Sequence, residues 1–170
     1  MAGIIYELID VLEEQNECYE GLNQLANYKE QAIVDKHIEL LEKVTITEEQ
    51  FMGRLTNLDK KRETLMKDIS LVTGMNPNEV TITAIASKMQ NQEEVYSRLI
   101  NLRNDIKEKL DKLKRQSELN KELIKQSLEF VDFMVNAIGG IKDGAMGTNY
   151  KKTGDKEITP IGQSTFDYKQ

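Results

Sequence analysis

A single histidine, His37, and a single cysteine, Cys18, are what this 170-residue chain offers to nucleophilic or transition-metal chemistry. A catalytic dyad needs a nucleophile with a base in hydrogen-bond reach, and one imidazole would have to serve every hydroxyl and the lone thiol. A di-metal carboxylate site in a helical protein needs Glu-x-x-His on two facing helices, which one histidine cannot supply. Cys18 can close no internal disulfide and has no ligand spacing around it. It falls where a helix would bury it, as a small apolar core residue. Gly139, Gly140, Gly144 and Gly147 follow a helical pattern and open no new one, so they make no phosphate loop. The 29 Asp and Glu residues are spaced as solvated helix faces. This inventory predicts no enzyme, no cofactor and no metal. It predicts a protein that binds.

Charge narrows the partner class. The net charge is −6, and no separate basic domain hides in that average. The run "RNDIKEKLDKLKR" (residues 103–115) interleaves acids with its bases. Asp105 with Lys109, Glu108 with Lys112 and Asp111 with Arg115 have the favourable i,i+4 orientation. It is a solvated helix face, and no nucleic-acid partner is expected. A bilayer span needs roughly 20 apolar residues. The longest candidate, residues 128–138, is too short and carries Glu129 and Asp132. "MAGIIYELIDVLEE" reaches acids before an adequate apolar run, so no secretory signal and a cytoplasmic location are expected.

The elements that would position any binding surface are helices. Two prolines, no Trp and long Leu/Glu/Lys/Gln stretches point to an all-α chain. Ile5, Leu8, Leu12, Tyr19, Leu22, Ala26 and Ile33 predict a first helix over about 3–34, with Ile4, Val11, Cys18 and Leu25 widening its stripe. Asp35 is suited to cap a second helix, which runs to about residue 73. Its inner face holds Leu41, Thr45, Glu48, Met52, Leu55, Leu58, Arg62, Leu65, Ile69 and Val72. Gly21 and Gly53 mark either close helix approach or exposed sites. "TGMNPNE" is a turn. A short helix follows in "VTITAIASKMQNQ", capped by Thr81 or Thr83, with Ile82, Ile85 and Met89 tucked inward. A third long helix should run from about 91 to 138, stopped by Gly139 and Gly140. The expected fold is an antiparallel bundle or coiled coil of three long helices with a short connector. Residues 1–140 would form the helical domain and residues 141–170 a flexible Gly/Lys-rich tail.

Projected at about 100° per residue, the last helix shows two faces. The seam comprises Val95, Leu99, Leu102, Ile106, Leu110, Leu113, Ser117, Asn120, Ile124, Leu128, Val131, Val135 and Ile138. A second stripe, roughly 100–140° away, exists only in the C-terminal half: Leu119, Leu123, Phe130, Phe133, Met134 and Ala137. Either neighbouring helices cover it as core, or it is a groove for a partner's amphipathic helix.

The order of these pieces resembles the FlgN family of flagellar type III export chaperones over nearly the whole chain. The resemblance rests on five pieces. The long first helix comes first, then "DKHIELLEKVTITEEQFMGRLTNLDKKRETLMKDI", then "TGMNPNEVTITAIA". "LNKELIKQSLEFVDFMVNAI" and "NYKKTGD" complete the order. It implies a cytosolic chaperone that holds the C-terminal helical segments of the hook–filament junction proteins FlgK and FlgL and delivers them to the export apparatus. The family's client-binding region carries onto residues 120–138, adding Asn120 to the second stripe. The tail tyrosine associated in the family with docking on the export gate protein FlhA corresponds to Tyr150, with Gly154 completing the spacing. The chain departs from the family by the insert "GGIKDGAMG" and by extra residues to Gln170. The alternative is a self-associating coiled-coil scaffold, in which the second stripe mates with its own copy as a homodimer.

Overall fold

The computed structural model describes the backbone of residues 2–145 and the side chains of residues 3–139. Among the described residues there are four helices and no strand: α1 (Ala2–Val34), α2 (Ile38–Thr73), α3 (Ile82–Lys88) and α4 (Glu93–Ala145). The chain divides into two compact units, Met1–Val131 and Asp132–Gln170.

In the first unit α1 supplies the largest share of the core. Ile5, Leu8, Leu12, Tyr19, Leu22, Ala26 and Ile33 are buried as their spacing requires, joined by Ile9, Val11 and Cys18. Burial pushes the Cys18 thiol above its ordinary pKa. α1 ends because Lys36 takes a left-handed conformation, φ 54°. The His37 N–H then reaches back to the Ala32 carbonyl (2.8 Å) and the Lys36 N–H to that of Ile33 (3.2 Å), closing the helix end. The break stands where Asp35 predicted it, but the cap is His37. Its Nδ1 accepts from the Leu40 N–H at 3.1 Å, satisfying one free amide of α2. His37 is therefore a capping residue and not a helix-surface one.

α2 lies against α1 with contacts that run in opposite directions along the two helices. Lys29 pairs with Glu48 at 2.6 Å near the turn, and Glu14 with Arg54 at 3.2 Å further along. Deeper in, fully buried Gln15 donates from Nε2 to Asp59 (2.7 Å) and accepts from Arg62 (3.3 Å), and Arg62 also pairs with Asp59 (3.2 Å). Arg62, a polar interruption of the inner face, thus satisfies a core amide. Leu55, Leu58, Leu65 and Ile69 are buried as expected, and Val44 joins them. Val72, expected inside, is exposed. The register through Gln15 and Asp59 brings it level with the first residues of α1, where the partner helix runs out.

The two mid-helix glycines separate cleanly. A Cβ on Gly21 would sit 2.6 Å from Phe51 Cε1, whereas one on Gly53 meets nothing within 4 Å. The Phe51 ring fills the space beside Gly21, whereas Gly53 is open. α2 stops at Gly74, φ 68°, whose N–H reaches the Ser70 carbonyl, with Met75 folding back to the same acceptor at 3.1 Å. Thr81, and not Thr83, caps α3, its hydroxyl accepting from the Ala84 N–H at 3.1 Å. Ile85 and Ala86 are buried, while Ile82 and Met89 pack half-buried against the core.

α4 does not stop at Gly139 and Gly140 but continues to Ala145. Each glycine costs a helix about 1 kcal/mol relative to Ala, which weakens it without ending it. The remainder of the proposed tail, with Tyr150 and Gly154, lies outside the described residues.

Candidate interaction surface

The first part of α4 is held to α1 by a short apolar seam and a ladder of polar contacts. Val95, Leu99 and Leu102 are buried; Ile106, Leu110 and Leu113 are half-buried against the core. Glu13 holds Arg98, and Glu20 holds Lys109 at 3.3 Å. Lys109 thus reaches across to α1 instead of pairing with Asp105 on its own helix. The Asn23 amide donates to the Lys109 carbonyl (3.0 Å), and Gln116 donates to Glu30 (2.6 Å). Asn120 donates to the Ala26 carbonyl at 2.8 Å and accepts from Gln116 at 3.2 Å. These contacts advance in the same direction along both helices, so α1 and this part of α4 run parallel.

Asn120 is the last buried residue of α4 among those described, 3% exposed. Its side chain, assigned to the client-binding region by the family resemblance, is hydrogen-bonded to α1. Ile124 is half-buried, and beyond it the seam opens. Leu128 is 61% exposed and Val131 53%, although both continue the seam spacing. The cause is length: α1 has 33 residues and α2 has 36, against 53 in α4. With this part of α4 parallel to α1, the end of α1 at Val34 is reached before Leu128 and Val131 are covered.

Of the second stripe, Leu119 and Phe130 are exposed and Leu123 is half-buried in the first unit. In the second unit every described residue from 132 to 139 is exposed, including Phe133 (67%), Met134, Val135, Ala137 and Ile138. The expectation that the seam stays buried to Ile138 fails. The exposed surface therefore includes seam residues that periodicity assigned to the core. Comparing the lengths of the helical patterns would have found them.

Lys36, which the sequence did not mark, places its ammonium 4.8 Å from the centroid of the Phe130 ring. Such a cation over a ring face is held by the ring quadrupole. Val34 and Ile38, on either side of the same turn, are both exposed. Among the described residues no group of His, Cys, Asp and Glu could hold a metal ion, and no helix is long and apolar enough to cross a membrane. What the described part of α4 offers is an exposed apolar helix surface.

Compared with known proteins, residues 1–158 match the family model described as FlgN protein. No curated protein and no solved structure matches the chain.

Proposed function

From the premise that this chain belongs to the FlgN family of flagellar export chaperones, we propose that α4 beyond Asn120 binds the C-terminal helical segments of the hook–filament junction proteins FlgK and FlgL. The observation that carries this reading is the exposure of Phe130, 51%, at the end of the first unit and of Phe133, 67%, in the second. The proposed contact set is Leu119, Leu123, Phe130, Phe133, Met134 and Ala137, enlarged by Leu128 and Val131. Burying the exposed part of each phenylalanine contributes about 1–2 kcal/mol, enough to decide affinity while permitting release. The role is binding without turnover, in the cytoplasm. The three long helices are arranged as an antiparallel bundle, and the chain after Ala145 forms a tail. In that tail Tyr150 and Gly154 dock on the export gate protein FlhA.

The test is the double variant Phe130→Asp, Phe133→Asp in co-purification with FlgK or FlgL. Helicity should be retained and client capture lost; a variant that unfolds, or one that captures client normally, refutes the surface. Tyr150→Ala should keep the client and weaken capture by the gate. The exposed seam residues at heptad spacing also suit a second copy of this chain. A tight dimer in sedimentation that persists when client is added would favour that scaffold reading.

A further inference from the structure

The turn between α1 and α2 carries a lysine where the backbone favours glycine. Lys36 has φ 54°, a left-handed conformation that helix ends usually give to glycine or asparagine. For a residue with a Cβ that conformation costs about five- to thirtyfold in the folding equilibrium. The bonds that close the end of α1 come from the backbone N–H groups of Lys36 and His37, and glycine would supply the first of them equally well. Among the described residues the Lys36 ammonium pairs with no carboxylate. It rests instead on the Phe130 ring, 4.8 Å from the centroid. An exposed contact of this kind returns about two- to fivefold, at best the lower end of the backbone cost. The stability of the turn therefore does not account for a lysine here, and an outlier of this kind points to function.

What the side chain does is occupy a ring. Phe130 is 51% exposed, and Leu128 and Val131 beside it on α4 are exposed too. A partner helix that buries this ring dries the ammonium resting on it as well. An unpaired ammonium taken out of water is strongly disfavoured, so the cation and an apolar partner compete for Phe130. The long, flexible stem of lysine lets the cation leave for water without moving the turn.

Resting on the reading of Phe130 as a client contact, we propose that Lys36 makes an autoinhibitory contact: its ammonium occupies the Phe130 ring in the free protein and is displaced when a client helix docks. The contact sets a threshold. Every partner that buries the ring first gives up the two- to fivefold that the cation supplies, so weak apolar encounters are disfavoured and a well-fitting client is not.

The experiment titrates full-length FlgK into the full-length chain by calorimetry. Lys36→Gly removes the cation and relieves the left-handed backbone, so the variant should keep its helicity and bind FlgK about two- to fivefold more tightly. Lys36→Arg keeps a cation for the ring and should bind as the unsubstituted chain does. In a Phe130→Leu background Lys36→Gly should gain nothing. In NMR spectra of the free chain the ring should shift the Lys36 Hε protons upfield, and Phe130→Leu should abolish that shift. Binding unchanged or weakened by Lys36→Gly, a gain that survives Phe130→Leu, or an Hε shift indifferent to Phe130→Leu overturns the autoinhibitory contact and leaves the client reading standing. Failure of the unsubstituted chain to capture FlgK or FlgL overturns the client reading, and this inference with it.

Discussion

Replacing Gly21 and Gly53 by alanine should have consequences that differ by about 1–3 kcal/mol, although both residues interrupt long helices. Alanine is favoured over glycine in a helix interior by about 1 kcal/mol. At Gly53 nothing lies within 4 Å of the added methyl, so Gly53→Ala should gain that full amount. At Gly21 the methyl would lie 2.6 Å from Phe51 Cε1 and 2.7 Å from Cζ. Ordinary carbon contacts sit at about 3.5–4.0 Å, so the ring or the helix must retreat by about 1 Å. Overpacking of that kind costs about 1–3 kcal/mol, which cancels the propensity gain or exceeds it. Urea unfolding followed by helical circular dichroism reads the difference, and each kcal/mol corresponds to roughly 3 °C in a thermal scan of a chain this size. Phe51→Leu removes the outer ring atoms, and in that background Gly21→Ala should behave like Gly53→Ala. Equal stabilisation by the two alanines in the unsubstituted chain would refute the packing of the Phe51 ring on Gly21. So would a Gly21→Ala effect indifferent to Phe51→Leu.

Two further outcomes follow from the polar and buried groups. Asn120→Ala removes the bond to the Ala26 carbonyl and should lower stability by about 1–2 kcal/mol, with hydrogen exchange accelerated in α4 around residues 110–124 and unchanged in the α1–α2 hairpin; uniform acceleration would refute a local latch. Cys18 is fully buried and its thiol is raised by burial, so Ellman's reagent should label it only as urea unfolds the chain. Rapid labelling of the folded protein would contradict the packing of α1.

Periodicity made the helices legible because each buried stripe repeats over many turns, so the positions of Leu8, Leu12, Leu58, Ile69 and Leu99 follow from spacing alone. The breaks were legible where glycine or a β-hydroxyl has a local role, at Gly74 and Thr81. His37 as a cap was not, because imidazole accepts an amide only when the preceding residue bends the chain, and Lys36 carries no such signature. Gln15 and Asn23 drew no reading from the sequence and Asn120 stood only as a polar member of the seam, since an amide's value in a core depends on a carbonyl or carboxylate from another helix. The second stripe of α4 was visible in projection. The opening of Leu128 and Val131 was not, because a periodic pattern gives a face without saying how far the neighbouring helix extends.

The three-residue turn between α1 and α2 also sets an order of assembly. Lys29 and Glu48 are 19 residues apart, whereas Asn23 and the Lys109 carbonyl are 86 apart. By (3/2)RT times the logarithm of that ratio, the longer closure costs about 1.3 kcal/mol more. The α1–α2 hairpin therefore zips from its turn first, and α4 docks late onto a surface already formed. During synthesis the hairpin emerges well before α4, and the apolar end of α4 follows when the α1 acids that receive Arg98 and Lys109 are already in place. A nascent chain thus brings out the apolar end of α4 last, after the hairpin that receives the first half of α4 has formed.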